Sequence, residues 1–289
     1  MANAISAAPS VLAQGVIAAL ANKLPVLNGF SSVFTSSIQG AGKTIQVPLI
    51  GTSTATEFGS GGYTTQDDAT VTSTSVTLKH FKVSSRFSPL DVREYGMAFF
   101  ANNFVETAAI ALSQKCMTEI NSLITVANYA SGTNTGANLS YAEVVAAQKT
   151  LDDAKATDKR ALVLGNGYLS DLRSDASIIA AFQLGANVIS TGSLGSIAGA
   201  QVYQFSNLSA NAESLAGFIC GADAIAVATA LPFNEIPGAE VSSATDPNTG
   251  LSVQVMVIQE QSGFLNVTAT LLFGCAVGRA TSLRRLTTA

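Results

Sequence analysis

Charged side chains are scarce in this sequence. Of its 289 residues, 12% are charged, about half of the ~25% typical of soluble domains, while 47% are hydrophobic and the mean hydropathy is +0.35. A monomer of this composition would have little charged surface. The chain therefore either crosses a membrane or has much of its surface covered by other chains.

Basic residues are too few for a protein that binds nucleic acid through charge. The formal net charge is −4 and the pI is near 5.0. Domains of that kind are usually basic, with a pI above ~9. The composition therefore excludes charge-driven binding of DNA.

Long uninterrupted apolar runs are also missing. The most apolar window, residues 215–233, carries Asp223 near its middle. A spanning helix needs ~20 apolar residues, and a central Asp costs roughly 2.5–3.5 kcal/mol on insertion. The N-terminus has no basic residue before its apolar stretch, so it does not resemble a signal peptide. We expect no membrane association and a protein that stays in the cytoplasm.

Cysteine and histidine are too few and too scattered for a metal or disulfide framework. Cys116, Cys220 and Cys275 have neither zinc-site nor disulfide spacing, and we expect them to be small buried hydrophobic residues. His80 is the only histidine, and it lies in an alternating segment that predicts a partly exposed strand position. Neither a catalytic triad nor a metal site can be assembled from these residues.

The string GAGKT, residues 40–44, resembles part of a phosphate-binding P-loop. The motif G-x-x-x-x-G-K-[ST] requires a glycine at position 37, where this chain has Ser37, and a helix afterwards. The following residues instead alternate with period 2 and include Pro48, which indicates a strand. We interpret GAGKT as a glycine turn that leads into a strand.

Two further motif-like strings also lack a required glycine. In the Gly165-Asn166-Gly167 segment the third glycine of a dinucleotide fingerprint is replaced by Ser170. Ser193 lacks the first glycine of the G-x-S-x-G nucleophile motif, because Thr191 occupies that position. We therefore predict no catalytic, cofactor-binding or metal-binding site.

The first 87 residues are predicted to form an arm and a long ribbon. Residues 1–36 contain a short amphipathic helix, and strands at 43–50 and 69–87 flank a glycine-rich tip at 58–68. An isolated two-stranded hairpin is only marginally stable in water. We expect the ribbon to become ordered only when it lies across a neighbouring copy of the chain.

A long helix is predicted over residues 88–130. Ser88 is a suitable N-cap, Pro89 fits the first helical position, and Gly96 can bend or divide the helix. Apolar residues then follow at steps of three or four: Phe100, Phe104, Ala108, Leu112, Cys116, Ile120 and Leu123. About 30 helical residues would form a rod of roughly 45 Å. We expect its aromatic and methionine side chains to pack in the core.

The remainder alternates helices and strands and then ends in a strand pair. Ser140 and Glu143 form a capping box, and strands are predicted at 161–164, 201–205 and 216–220. An alanine-rich helix is predicted from about Asp223 to Leu231. Two alternating segments, 251–261 and 264–275, predict an antiparallel pair.

This order of elements resembles the major capsid proteins of tailed bacteriophages, with their Hong Kong 97-type fold. Residues 42–96 resemble the extended loop that runs into the spine helix of that family. The stretches 161–175 and 192–208 resemble its apical domain, and 251–277 resembles the late strands of its peripheral domain. The resemblance covers nearly the whole chain but depends on architecture more than on a sharp motif.

The resemblance implies an α+β fold with five segments. These are an N-terminal arm (1–42), an extended β-hairpin loop (43–87), a spine helix with the first part of a discontinuous peripheral domain (88–137), a compact α/β apical domain (138–248), and the second part of the peripheral domain with a C-terminal return (249–289). It also implies a virion protein without catalysis that forms pentamers and hexamers of an icosahedral shell around double-stranded DNA. Separate scaffolding, portal or cement proteins are its expected partners.

The acidic ribbon tip provides candidate contacts between subunits. We expect Glu57, Asp67 and Asp68 to meet basic residues of an adjacent copy, with Arg93 or Arg279 as the candidates. Exposed ion pairs contribute only about 0–1 kcal/mol, so such contacts would set register more than stability.

Three alternatives remain at the level of sequence. An encapsulin-like cellular compartment would share this fold and enclose protein cargo. A small-molecule α/β enzyme would need a polar pocket in residues 138–248, and a tail or fibre protein would explain the Thr- and Ser-rich strands but not the long helix.

Overall fold

The computed structural model describes residues 9–35, 44–49, 72–135, 138–156, 159–183, 194–205, 208, 213–231, 238–261 and 263–288. In these ranges the helices are α1 (Pro9–Lys23), α2 (Pro89–Tyr95), α3 (Met97–Leu123), α4 (Tyr141–Asp153), α5 (Asn166–Ser174) and α6 (Ala176–Gln183). The strands are β1 (Ser31–Thr35), β2 (Thr44–Leu49), β3 (Thr72–Thr77), β4 (Lys79–Phe87), β5 (Gly132–Asn134), β6 (Arg160–Leu164), β7 (Ser196–Ile197), β8 (Ala200–Gln204), β9 (Leu215–Gly221), β10 (Ile225–Ala230), β11 (Glu240–Thr245), β12 (Ser252–Gln259), β13 (Leu265–Val277) and β14 (Leu283–Thr287).

The first sheet is organised around the long strand β13. Its order is β1-β10-β13-β12-β11, and β4 pairs with the remaining edge of β13. The antiparallel pairing of β12 with β13 confirms the predicted strand pair at the end of the chain. Alternation along β13 buries Val267, Ala269, Leu271 and Phe273 on one face.

Helices α1 and α3 cover that face of the first sheet. The predicted apolar stripe of α3 is confirmed from Phe104 to Ile120, because these residues join the same buried cluster as the β13 residues. The polar side is exposed at Asn103, Thr107, Gln114 and Ser122. Helix α1 is part of this core, since Leu12, Val16 and Leu20 are buried in it, so this part of the predicted arm packs against its own chain.

Helix boundaries follow local capping chemistry. The Ser88 hydroxyl accepts a hydrogen bond from Leu90 N at 3.3 Å, and Gly96, with φ of 80°, separates α2 from α3. Helix α3 ends at Leu123, earlier than the predicted residue 130. Asn128 explains this end, because its side-chain amide donates to Leu123 O at 2.8 Å and satisfies a terminal carbonyl.

The base of the predicted ribbon packs against its own chain. Strands β2 and β3 pair as predicted, and Val47 and Val76 are buried against alanines of β10 on the face of the first sheet opposite α3. A Cβ at Gly274 would lie 2.5 Å from Thr77 O, so the absence of a side chain permits this close approach. The expectation that only a neighbouring copy could order residues 43–87 is therefore wrong for 44–49 and 72–87. The tip lies outside the described residues.

The predicted alanine-rich helix at 223–231 is wrong, because these residues contain β10. Every residue of β10 is buried, with Val227 packed toward α1 and α3. Ala226, Ala228 and Ala230 face the β2–β3 pair. Small residues on that side leave room for a second strand layer. Period-2 alternation of β-branched residues with alanine was the signal for a strand.

The second sheet has the order β5-β14-β9-β6-β8-β7. Helix α4 packs on it and begins at the predicted capping box, in which the Ser140 and Glu143 side chains each bond the other's backbone N–H. Gly165 links strand β6 to helix α5 and is the N-cap of that helix. Residues 166–183 form two consecutive helices, α5 and α6.

The sheets divide the chain differently from the predicted segments. Strands β10 and β11 lie within the segment 138–248, yet they belong to the first sheet. Strand β14 lies at the C-terminal end, yet it pairs with β9 of the second sheet. Three chain crossings therefore connect the two sheets, at β4 to β5, β9 to β10 and β13 to β14.

Candidate assembly surface

The described cysteines and histidine do not form a reactive group. Burial raises the pKa of the Cys116 and Cys220 thiols and raises the pKa of Cys275 to about 12, so all three stay protonated at neutral pH. His80 is exposed on β4, as predicted. Among the described residues, no three or more His, Cys, Asp or Glu side chains are grouped so that they could hold a metal ion.

None of the described helices combines the length and the apolar character that a membrane crossing needs.

Arg279 is used within the subunit. Its guanidinium donates to Lys155 O at 3.3 Å and to Ala154 O at 3.1 Å, at the C-terminus of α4. It also lies 3.6 Å from the carboxylate of buried Asp223, which belongs to the turn before β10. These bonds connect the segment after β13 to the end of α4 and to the turn before β10. The Arg279 guanidinium is therefore bonded within its own chain.

Arg285 has the same internal role. Its Nε donates to Tyr129 O at 2.7 Å, and its Nη1 donates to Glu213 at 2.8 Å. The Glu213 carboxylate also accepts from Val126 N, and the Tyr129 hydroxyl donates to Ala224 O at 2.8 Å. Two of the chain crossings between the sheets are thereby joined by buried polar bonds.

Arg93 is the candidate contact residue that the structure leaves accessible. It lies exposed in the last turn of α2, beside exposed Asp91 and Glu94. Its predicted acidic partners Glu57, Asp67 and Asp68 lie outside the described residues. Arg93 and Arg279 are not brought together. Helix α2 begins beside the turn before β13, where a Cβ added to Gly263 would lie 3.3 Å from Pro89, and Arg279 follows the far end of that strand. A 13-residue strand separates them by ~43 Å.

Large apolar side chains are exposed next to Arg93. Leu90, Tyr95 and Phe99 have 73%, 64% and 56% of their surface accessible, and we call the two neighbouring aromatic residues, Tyr95 and Phe99, the α2–α3 patch. The ring centroids of Tyr95 and Phe99 are 6.0 Å apart, and Phe99 lies 5.5 Å from Phe100 in an edge-to-face arrangement. These are ordinary distances for stabilising aromatic pairs.

The aromatic residue beneath this patch, Phe100, packs on strand β4. Phe100 packs on Phe87 of β4 at a centroid distance of 5.2 Å. On the same strand, Arg86 lies 3.9 Å over the ring of Phe264 and pairs with Glu260 at 2.5 Å. The patch is therefore anchored to the end of the first sheet.

Sequence analysis missed this patch because it assigned the aromatic residues of the long helix to the core. The position of each aromatic residue relative to the buried stripe could have predicted which of them are exposed. Phe100 and Phe104 lie on that stripe, whereas Phe99 is one position out of its phase and Tyr95 lies before the break at Gly96. Large apolar residues outside the phase of a buried stripe indicate a contact surface.

The sequence matches no protein-family model and no curated protein sequence. Solved structures, in contrast, are similar to this chain along most of its length. The capsid of cyanophage P-SCSP1u is 12% identical, with 90% of this chain and 86% of that chain covered at a TM-score of 0.58. A chain in a structure of Mycobacterium phage Che8 is 17% identical to this chain, with 88% of each chain covered at a TM-score of 0.53.

A virus-like particle from Pyrococcus furiosus is also similar. It is 10% identical, with 96% of this chain and 97% of that chain covered at a TM-score of 0.56. The chain therefore shares, along nearly its whole length, the α+β fold of phage capsid structures, as the resemblance in its sequence predicted.

Proposed function

We propose that this chain is the major capsid subunit of a tailed bacteriophage. Many copies assemble, as pentamers and hexamers, into an icosahedral shell that encloses double-stranded DNA. The observation that carries this proposal is the fold shared with phage capsid structures over about nine-tenths of the chain. The scarcity of charge supports it, because extensive contacts between copies would cover an apolar surface.

The finer architecture follows the same proposal. Helix α3 is the spine helix, the first sheet with α1 and α3 is the peripheral domain, and the second sheet with α4–α6 is the apical domain. Residues 50–71 form the outer part of the extended loop. This assignment moves β10 and β11 to the peripheral domain and β14 to the apical domain, in keeping with the sheet order.

The proposed role needs neither catalysis nor a cofactor. The subunit encloses DNA without sequence-specific binding, and its acidic net charge of −4 suits a container that must release its genome. Scaffolding, portal and cement functions belong to separate proteins. The subunit is made in the host cytoplasm and ends in the virion.

Contacts between copies include the acidic loop tip. In this proposal Asp67 and Asp68 of one copy meet Arg93 of another. Arg279 is the weaker candidate, because its guanidinium is already bonded within its own chain.

A charge swap tests this contact. Replacing both Asp67 and Asp68 by Lys places two cations opposite Arg93, and we expect at least a fivefold lower yield of closed particles. Adding Arg93→Glu restores attraction and yield. Arg173→Glu, at an exposed arginine of α5, is the matched control and does not restore it. Equal yields in all variants would remove Arg93 and the tip from the interface.

Negative-stain electron microscopy of the purified full-length chain tests the function itself. We expect closed polyhedral shells, tubes or sheets, alone or with a co-expressed scaffolding protein from the same genome. A chain that stays monomeric under all these conditions contradicts the proposal.

The second candidate, a cellular compartment, is favoured by the similarity to the virus-like particle from Pyrococcus furiosus. Neighbouring genes separate the two candidates. Terminase and portal genes identify a phage capsid, whereas a gene for an oxidoreductase or ferritin-like cargo identifies a compartment.

A further inference from the structure

Two of the three chain crossings form a single two-stranded ribbon that belongs to both sheets. Strands β10 and β13 pair antiparallel in the first sheet, and the same two chain segments pair again in the second sheet as β9 and β14. Five residues separate Cys220 from Ile225 along one segment. Six residues separate Val277 from Leu283 along the other, so the register shifts by one residue between the sheets. We call the residues between these pairs the ribbon joint.

At the ribbon joint the two segments lie close together and are held by backbone bonds. Gly278 N donates to Ala224 O at 2.9 Å, and Arg279 N donates to Asp223 O at 2.8 Å. A Cβ added to Gly278 would collide with Asp223 O. An isolated two-stranded ribbon is only marginally stable, and hinges are usually a few residues at the ends of elements. The ribbon joint therefore has the construction of a hinge between the two sheets.

Apolar packing also holds the two sheets together. The turn at Pro25–Gly29, which follows α1, packs on β6 and β8 of the second sheet, and a Cβ added to Gly29 would lie 2.7 Å from that of Ala161. The attraction between apolar groups is not directional. The angle between the sheets therefore depends on the directional bonds that cross the joint.

Arg279 makes such bonds from the ribbon joint to the second sheet. Its guanidinium donates to the carbonyl groups of Ala154 and Lys155 at the end of α4, a helix that packs on β9 and β14. Buried Asp223, on the other segment of the ribbon, lies 3.6 Å from the same guanidinium. The side chain therefore joins the hinge to the helix that would move with the second sheet.

The Arg279 contact is able to open, whereas the contact of the second arginine at the joint is closed to water. The Arg279 side chain keeps 30% of its surface exposed and its contacts are 3.1–3.6 Å long, so water can replace them at little cost. The Arg285 side chain is only 7% exposed, and its bonds to Tyr129 O and Glu213 are 2.7 and 2.8 Å long. Arg285 is thus a fixed anchor of the joint.

We propose that Arg279 is a latch that fixes the angle between the two sheets. With the latch open, the second sheet and α4 rotate together about the ribbon joint. The inference deepens the proposed function, and its consequence for assembly rests on that function. A chain that forms both pentamers and hexamers meets its neighbours at two different angles. By limiting the shapes that the subunit can take, Arg279 keeps the particles uniform in size.

Distances between two spin labels on the full-length chain test the latch without any need for particles. The labels are attached at Gln114→Cys on α3 and Ala142→Cys at the start of α4, which are exposed positions on the two sides of the joint. Arg279→Met removes the guanidinium and keeps a long side chain. We expect it to broaden the distance distribution about twofold, because the hinge is then free. The chain without added cysteines reports any labelling of the native thiols.

Arg284→Met is the matched control. Arg284 is also half-buried, but its Nε donates to Thr133 at 2.9 Å, a bond that stays within the second sheet. Its loss should leave the distance distribution unchanged.

A conservative variant separates the latch from general stability. Arg279→Met leaves the buried Asp223 carboxylate without this cation, so its thermal stability should fall. Arg279→Lys keeps the charge but lacks the planar fork that bonds both carbonyl groups of α4. We expect it to broaden the distribution with a smaller loss of stability.

A folded Arg279→Met chain with an unchanged distance distribution overturns the inference. If that variant does not fold, Arg279→Lys decides by the same criterion. Failure of both variants to fold also overturns the inference, because Arg279 would then be needed for the core and not for an angle.

Electron microscopy of particles from the same variants tests the consequence for assembly. The spread of particle diameters should be about twofold wider for Arg279→Met than for Arg284→Met. Particles of one size from all variants contradict the role in assembly. If the unsubstituted chain forms no particles, the proposed function fails, while the label distances still decide whether Arg279 is a latch.

Discussion

At the scale of single residues, two arginines near the C-terminal end of the chain are bonded inside the subunit. Arg285 binds Glu213 and the Tyr129 carbonyl, and Arg279 binds the end of α4. Breaking such a pair strongly destabilises the subunit, because the remaining partner is left buried without an opposite charge. Exposed charged residues next to apolar side chains, such as Arg93, are therefore the candidates for contacts between copies.

Asp175 predicts one acid-sensitive step. Its pKa is held below the ordinary value of 3.8, mainly because its carboxylate accepts hydrogen bonds from Tyr141 N and Ser177 N. A lowered folded pKa contributes stability above the unfolded pKa and loses it as pH falls through the folded pKa. We therefore expect the α4–α6 contact to weaken below about pH 4.

Asp175→Asn is the variant that checks this. The measurement is the free energy of unfolding as a function of pH between about 5 and 3, since the unfolded Asp titrates near 3.9. The substitution should flatten the acid limb of the curve relative to the unsubstituted chain. Asp153→Asn, at an exposed aspartate near the end of α4, is the control and should leave the limb steeper than Asp175→Asn does. Parallel curves for both variants would rule out a role for Asp175.

At the scale of elements, the sequence predicted structures with local chemistry and failed where packing decides. The Ser88 cap, the Ser140 capping box and the α3 stripe were all visible, because they depend on residues three or four apart. Residues 223–231 were misassigned, because alanine also suits a strand that must admit a second layer. The pairing of β14 with β9 was invisible, because it joins distant parts of the chain.

The candidate site was predictable to a similar extent. Arg93 was one of two basic residues named as candidates, and the structure leaves it exposed. The internal bonds of Arg279 could not be foreseen, because they depend on how β13, α4 and the turn before β10 meet in space. The exposure of Tyr95 and Phe99 depends on where Gly96 divides the helix.

Gly274 tests the packing of the ribbon base on the first sheet. A Cβ at this position would lie 2.5 Å from Thr77 O and 2.9 Å from a methyl group of Val76. Gly274→Ala should therefore push β3 away and destabilise the subunit by about 1–3 kcal/mol. Chemical denaturation measures the loss, and limited proteolysis should show faster cleavage within residues 44–77.

Gly167→Ala is the matched control for this prediction. Nothing lies within 4 Å of a Cβ there, and the residue is in helix α5, where alanine favours the helix. We expect unchanged or slightly higher stability. A Gly274→Ala protein as stable as the control would mean that β3 is not held tightly against β13.

At the scale of the whole molecule, the two sheets form one subunit that exposes two aromatic side chains at the junction of α2 and α3. Several chain crossings connect the sheets, and Arg279, Arg285 and Tyr129 bind them to one another. A stiff subunit of this kind suits a lattice, because contact angles between copies are then set by the fold. The low charge of the chain points the same way, since a large part of its surface must be covered in the working state.

Cryo-electron microscopy of particles assembled from the full-length chain tests the central claim most directly. The account predicts a closed icosahedral shell in which residues 50–71 of each copy contact another copy. A chain that yields only monomers or small oligomers, with residues 50–71 packed on their own subunit, would contradict it.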